Sequence, residues 1–162
     1  MKKVFIISIL LIICLIGCKS TGSSSSGVKV TNFAEAIGKE WKLIEVYAQI
    51  DPFHKRIIYD RAHLAKEKIE KTYTMTMTAS GISGTAAPNT YSAQYKRGQG
   101  QAMEIQEIRS TKMAPIVQPE KLQEFTYFIY LQNTYEWNIK DNKLEFSSKT
   151  DEEHQVRIVF EL

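Results

Sequence analysis

The most regular pattern of apolar and polar positions lies between Thr72 and Thr78. Threonines occupy every second position there, and larger apolar residues stand between them. The threonines are Thr72, Thr74, Thr76 and Thr78, and the apolar residues are Tyr73, Met75 and Met77. A period of two predicts a half-buried strand. Ser80-Gly81 then favours a turn, and residues 82–85 are predicted to return as the second strand of a hairpin.

Further segments carry the β-branched, aromatic or alternating apolar residues that are typical of strands. They are residues 40–48, 56–59, 102–108, 135–139, 143–147 and 156–160. Asp141-Asn142 separates two of them and is predicted to form a tight turn. Residues 86–91 (AAPNTY) combine small residues, a proline and an asparagine, which indicates a shaped loop.

Residues 119–131 carry the pattern of a helix. Pro119 suits a first turn, Glu120 suits the amino end, and four apolar residues recur at helical spacing: Leu122, Phe125, Phe128 and Ile129. Tyr127 and Tyr130 are expected to flank this stripe, either lining a partner-facing patch or capping the core with hydroxyls in water. Short strands and one helix predict an α+β, mainly antiparallel β fold, in which a small curled or partly closed sheet packs against one main helix.

The amino-terminal residues predict export. Lys2 and Lys3 precede a run from residue 4 to 16 in which Ser8 is the only polar residue, and this run is short for a membrane span. Leu15-Ile16-Gly17-Cys18 resembles the bacterial lipobox, which implies cleavage between Gly17 and Cys18 and acylation of Cys18. The alternative is a retained apolar anchor. We therefore expect a signal peptide over 1–17, the lipidated cysteine and a flexible Ser/Gly-rich tether over 18–31, and one domain over 32–162.

Cysteine count and charge argue against a disulfide-stabilised protein and a nucleic-acid-binding protein. The 162-residue chain has two cysteines, and Cys14 would be lost with the signal peptide, so no disulfide is expected. Cleavage would also remove two lysines from a chain whose formal net charge is only +3. No basic run with interleaved aromatic residues follows. Nucleic acid is therefore not an expected partner.

An ordered set of short motifs resembles the META domain (HslJ-like) family over about residues 38–160. The matching segments are Trp41-Lys42-Leu43, Gly84 through Asn89 with Tyr91 and Tyr95, Thr111-Lys112-Met113-Ala114, Lys121-Leu122 through Phe125 and Leu131, and Tyr135, Trp137 and Leu144. The resemblance implies a small antiparallel β structure with a helix. It implies no activity, because roles in stress or antibiotic tolerance and in secretion or virulence are only suggestions for the family.

The chain departs from the family pattern at two positions. Many members place cysteines where Pro88 and Pro115 stand here, so no redox or disulfide role carries over. Residues of the motif segments, Pro88 included, form a candidate loop whose role is structural or binding. These residues are Pro88, Asn89, Tyr91, Tyr95, Thr111 and Met113. A structural role is favoured, because buried polar groups usually satisfy the fold.

Catalytic and metal chemistry have few candidate residues. His54, His63 and His154 show no metal-ligand spacing, and the acids at 151–153 beside His154 favour a solvated loop. Residues 81–84 (GISG) lack the spacing of a nucleophile elbow. A hydrolase would need a close pair such as Asp60 with His63, or His154 with its acids. We therefore expect no catalytic residue, no metal and no cofactor beyond the lipid on Cys18.

The expected function is that of a membrane-anchored bacterial lipoprotein, not an enzyme, with an envelope, stress-related or protein-binding role. Its partners would be the membrane, through the lipid, and an unknown protein or envelope polymer. The alternatives are an anchored envelope hydrolase and a surface-exposed adhesin. Lys19-Ser20 lacks the aspartate that retains some lipoproteins at the inner membrane, so the outer membrane is favoured.

Overall fold

The computed structural model describes residues 29–67, 72–113, 119–150 and 155–162. Within these residues, three short helices accompany a ten-stranded sheet. The helices are α1 (Phe33–Ala36), α2 (Arg61–Glu67) and α3 (Glu124–Gln132). The strands are β1 (Glu40–Gln49), β2 (Lys55–Asp60), β3 (Thr74–Met77), β4 (Gly81–Thr85), β5 (Thr90–Arg97), β6 (Met103–Ile105), β7 (Arg109–Ser110), β8 (Thr134–Lys140), β9 (Lys143–Lys149) and β10 (Gln155–Glu161).

The sheet is antiparallel throughout, in the order β6-β5-β4-β3-β1-β10-β9-β8. Strand β2 pairs with β1, and β7 pairs with β5. The first and last strands of the path approach each other at one isolated bridge, between Ala102 and Glu136. The sheet curls but is not closed by a continuous ladder. The expectation of a mainly antiparallel β fold is confirmed.

Two sequence patterns correspond directly to the observed strands. Met75 and Met77 are fully buried, whereas Thr74 and Thr76 are half-buried and Thr78 is exposed, as the period of two predicts. Strand β3 pairs with β4 in the predicted hairpin, with Met77 opposite Ile82. Asp141 and Asn142 both adopt positive φ angles, of 53° and 60°, as a tight turn between antiparallel strands requires.

The core lies on the inner face of the curled sheet. Its largest fully buried side chains come from several strands and from the segments around α3: Trp41, Tyr59, Tyr73, Met75, Met77, Leu122, Tyr127, Leu131, Leu144, Phe146, Ile158 and Phe160. Trp41 donates its indole N–H to the Ala36 carbonyl oxygen at 3.1 Å. This bond holds the end of α1 against β1.

The predicted helix is wrong in its start and in its buried face. The helix begins at Glu124 rather than at Pro119, and Leu122 is buried in the irregular segment before it. Phe125 is 73% exposed and Ile129 is exposed, whereas Tyr127 and Leu131 are completely buried. Apolar and aromatic side chains of α3 itself project from nearly all sides of the helix, so their spacing does not indicate which face is buried. Tyr127 neither faces a partner nor caps the core in water.

Other elements were not predicted. Strand β5 occupies Thr90–Arg97, where only a loop ending at residue 91 was expected, and it alternates buried and exposed positions along its length. The strand predicted over 102–108 is confined to Met103–Ile105. Helices α1 and α2 were also missed. Among the described helices, none has the length and apolar character needed to span a membrane.

Candidate functional site

Asn89 stands at the end of the tight connection between β4 and β5. The Ala87–Pro88 peptide bond there is cis, and the Ala86 N–H donates to the Asn89 carbonyl oxygen at 2.7 Å. The Asn89 residue is only 3% exposed. A buried amide needs partners for both its oxygen and its nitrogen.

The Asn89 side chain finds those partners in segments that are distant in sequence. Its Oδ1 accepts the Met113 backbone N–H and the Thr111 hydroxyl, both at 2.8 Å. Its Nδ2 donates to Glu124 Oε2 at 2.8 Å and to the Met113 carbonyl oxygen at 3.4 Å. The same carboxylate accepts the Asn89 backbone N–H through Oε1 at 3.3 Å. Asn89 therefore links the β4–β5 turn, the chain after β7 and the first turn of α3.

Tyrosine hydroxyls continue this network into the core. Tyr91 donates to the Thr74 carbonyl oxygen at 3.0 Å and lies 3.1 Å from the Tyr127 hydroxyl. Tyr73 donates to the Leu122 carbonyl oxygen, which fixes the segment before α3. Burial raises the pKa of Tyr91, Tyr127 and Tyr73 well above that of free tyrosine. These side chains are neutral, hydrogen-bonded parts of the core.

Gly84 packs beside this network. A Cβ atom at Gly84 would lie 1.9 Å from the Thr74 carbonyl oxygen and 3.0 Å from the Tyr91 hydroxyl. Glycine is therefore required where β4 approaches β3. We call Gly84, Asn89, Tyr91, Thr111, Met113 and their partners Glu124 and Tyr127 the motif cluster.

Four of the six candidate motif residues, Asn89, Tyr91, Thr111 and Met113, lie in this cluster, and Pro88 precedes Asn89 in the turn. Tyr95 lies apart and donates its hydroxyl to the Thr78 carbonyl oxygen at 2.6 Å, across the β3–β4 turn. Pro88 is half-buried and Thr111 is exposed, while the Met113 side chain is 56% exposed. Sequence reasoning missed Glu124 and the buried contact of Tyr127 with Tyr91, because each partner stands about 35 positions earlier and no local pattern marks the contact.

A second polar group lies at the amino end of α2. Asp60 Oδ1 accepts the His63 backbone N–H at 3.1 Å and lies 2.7 Å from His63 Nδ1. His63 Nε2 lies 3.0 Å from Lys121 Nζ, and the imidazole stacks on the buried Tyr59 ring. These bonds hold the pKa of Asp60 below its usual range, chiefly through the His63 backbone N–H. We call Asp60, His63 and Lys121 the α2 cluster.

The α2 cluster contains the pair that the hydrolase alternative requires. In a catalytic triad, the second imidazole nitrogen contacts the hydroxyl or thiol of the nucleophile. Here His63 Nε2 contacts Lys121 and not a serine, threonine or cysteine. The His54 imidazole bonds to Asp51 within the turn of the β1–β2 hairpin. No group of three or more potential metal-binding side chains occurs in the described parts of the chain.

Several predicted sites lie outside the described residues. They are Gly17 and Cys18, Pro115, and the acids at 151–153 with His154.

A shallow polar cleft of about 540 Å³ occurs beside β5, lined by Ser92, Gln94, Gln106, Glu107 and Arg109 among others. It contains no pair of titratable groups in hydrogen-bond contact.

The order of these features matches a known family. The model of the META domain matches residues 34–160. The chain belongs to the META domain family. No curated protein matches it.

Solved structures share the fold of this META domain at low identity. A crystal structure of a DUF4847 family protein from Bacteroides vulgatus has 14% identity and a TM-score of 0.52, over 78% of this chain and 93% of that one. An NMR structure of a protein from Burkholderia xenovorans has 16% identity and a TM-score of 0.53, over 85% of this chain and 95% of that one. At these identities the likeness concerns the fold alone.

Proposed function

We propose that this META-domain protein is a bacterial lipoprotein, anchored through acylated Cys18, whose domain acts as a non-catalytic binding module in the cell envelope. The sequence Leu15-Ile16-Gly17-Cys18, followed by a Ser/Gly-rich tether, supports the anchor. Two or more acyl chains on one cysteine give stable membrane attachment. The domain itself then needs no membrane-spanning segment.

The motif cluster supports the proposal that the domain is a binding module and not an enzyme. The Asn89 amide is buried and hydrogen-bonded to Thr111, Met113 and Glu124. A catalytic or ligand-binding polar group has to offer a donor or acceptor to its substrate. The donors and acceptors of Asn89 and Tyr91 bond to other parts of the protein. We therefore assign these family residues to stabilising the fold. Binding then falls to exposed side chains around them.

Metabolic labelling with a clickable palmitate analogue tests the anchor. The wild type is expected to incorporate label and to fractionate with membranes. C18A is expected to lose the label, whereas the matched variant C14A keeps it, because Cys14 leaves with the signal peptide. Equal labelling of C18A and wild type would contradict the proposal.

The second candidate function is an anchored hydrolase that uses the α2 cluster. The 2.7 Å contact between Asp60 and His63 favours it. We rank it second because Lys121 faces the other imidazole nitrogen. Ester- and amide-hydrolysis assays of wild type and H63Q separate the candidates: the binding-module proposal predicts no activity that depends on His63.

The orientation of the domain is the last part of the proposal. We favour the outer membrane, with the domain either in the periplasm or at the surface as an adhesin. Protease treatment of intact cells, with a periplasmic protein as control, distinguishes the two. Cleavage while the control survives indicates a surface role, whereas survival until the outer membrane is opened indicates an envelope-maintenance role.

A further inference from the structure

The turn of the β1–β2 hairpin is the most apolar exposed segment among the described residues. All eight residues from Ile50 to Ile57 are exposed. Phe53 is 91% exposed, Ile50 53% and Ile57 38%. An aromatic side chain this exposed contributes little to the stability of its own fold. Its position instead suits contact with another apolar phase.

Hydrogen bonds hold this turn in one shape. Asp51 Oδ1 accepts the backbone N–H groups of Phe53 and His54, at 2.8 and 3.0 Å. The Asp51 carboxylate also contacts the His54 imidazole at 2.7 Å. The Ile50 N–H donates to the His54 carbonyl oxygen at 3.0 Å. Phe53 is thus presented at the tip without further ordering of the backbone.

Basic residues follow the apolar tip. Lys55 and Arg56 are both exposed, and Lys55 also pairs with Glu45 at 2.7 Å. Asp51 is the one acidic residue between Ile50 and Ile57. An apolar tip with adjacent cations matches a membrane interface, where acyl chains lie beneath anionic phosphate groups.

The chain before the domain determines how far the tip lies from the bilayer. Val30 is held to Asn142 by a 2.7 Å hydrogen bond, at the end of the sheet where Lys42 pairs with Glu161. Gln49 lies about 23 Å along β1 from that end at the usual rise per residue, and the hairpin tip lies beyond it. Serine and glycine make up most of residues 18–28, and linkers of this composition and length typically span about 15–20 Å. A linker of this length allows the domain to lie with β1 along the membrane, and in that pose both ends of β1 meet the headgroups.

We propose that the β1–β2 hairpin tip, led by Phe53, is a second membrane contact that inserts into the phospholipid surface to which Cys18 is anchored. This proposal rests on the proposed anchor, because the tether keeps the tip at high local concentration near lipid and makes a weak contact sufficient. The tip of the β5–β6 hairpin is the natural comparison. Its residues 96–102 are also all exposed and include Lys96 and Arg97, but none is a large apolar residue.

Tryptophan fluorescence in reconstituted vesicles tests the proposal. Both natural tryptophans, Trp41 and Trp137, are buried, so an added tryptophan at either tip reports on its own surroundings. The full-length lipidated chain, as wild type, F53W or Q99W, is reconstituted into vesicles of phosphatidylethanolamine and phosphatidylglycerol, with or without brominated acyl chains. Bromine quenches only indoles that reach the acyl region.

We expect bromination to lower the added emission of F53W about twofold or more and to leave Q99W and wild type unchanged. R56E is expected to reduce the quenching in the F53W background, whereas K96E leaves it unchanged. Equal behaviour of F53W and Q99W in chains that float with the vesicles would overturn the hairpin contact and leave the anchor standing. The exposed tip would then be open to a protein partner. Wild-type chains that do not float would contradict the anchor and the hairpin contact together.

Discussion

Asn89 in the motif cluster and Asp60 in the α2 cluster both use a side-chain oxygen to accept a backbone N–H from a neighbouring segment. Asn89 receives it from Met113, 24 residues away, and is almost fully buried. Asp60 receives it from His63, three residues away, and is only half-buried. The first bond crosslinks distant parts of the fold, whereas the second closes one turn of a helix. Burial and sequence separation therefore decide what the same hydrogen bond contributes.

The largest effect is expected from G84A, which breaks the motif cluster sterically. The new Cβ would lie 1.9 Å from the Thr74 carbonyl oxygen, so β3 and β4 must separate. We expect a loss of about 3 kcal/mol in the free energy of unfolding, measured by urea denaturation. S83A, at the exposed neighbouring position, is expected to be near wild type. Equal stability of both variants would show that the strands do not approach this closely.

N89A removes the side chain at the centre of the same cluster. It leaves the Met113 N–H and the Glu124 carboxylate without their buried partner, so we expect a loss of about 2–3 kcal/mol in urea unfolding. H63A in the α2 cluster is the matched comparison and should cost less, about 1 kcal/mol, because water replaces its polar contacts and only the stacking on Tyr59 is lost from the interior. Similar losses in the two variants would remove the distinction between the clusters.

Y127F tests the part of the network that lies deepest in the core. It removes one hydroxyl next to Tyr91 and should cost about 1–2 kcal/mol. Because the folded-state pKa values of Tyr91 and Tyr127 are raised, the stability they contribute is complete below the pKa of unfolded tyrosine, about 10, and is lost as the pH rises above it. Absorbance at alkaline pH should show these tyrosinates appearing together with unfolding. Their ionisation in a folded chain would contradict the assigned burial.

D60N is expected to change the free energy of unfolding least, and the size of this change should depend on pH. The folded-state pKa of Asp60 is lowered, so its contribution is present above the unfolded pKa of aspartate, about 4, and disappears as the pH falls through the folded value. The urea midpoints of wild type and D60N should therefore differ slightly at neutral pH, and this difference should shrink as the pH falls through the lowered pKa of folded Asp60. A difference between the two midpoints that grows on acidification would contradict a lowered pKa for folded Asp60.

The contrast between the clusters also explains what the sequence could predict. The alternation at residues 72–78 and the Asp141-Asn142 turn depend on neighbours in the chain, and both predictions are confirmed. Strand β5 carries a similar period of two but has small Ala93 among its buried positions, and it was missed. The buried face of α3 is set by contacts such as Tyr127 with Tyr91, so the spacing of apolar residues within the helix does not reveal it.

The same reasoning applies to the candidate site. The ordered motifs predicted the family, which the META domain match over residues 34–160 confirms, and they include Asn89, Thr111 and Met113, which hydrogen bonds join, but also Tyr95, which lies apart. They did not predict Glu124 as its partner, because that contact exists only after the sheet and α3 have packed. The Asp60–His63 pair is local and was therefore visible in the sequence.

Hydrogen exchange at the Met113 amide tests the closed motif cluster most directly. This N–H donates to Asn89 Oδ1 at 2.8 Å although the Met113 side chain is exposed. A cluster that serves the fold should protect this amide with a free energy close to that of core amides such as Val46 in β1. Exchange as fast as that of the exposed Gly100 amide would contradict the account, because it would leave Asn89 open to bind a ligand.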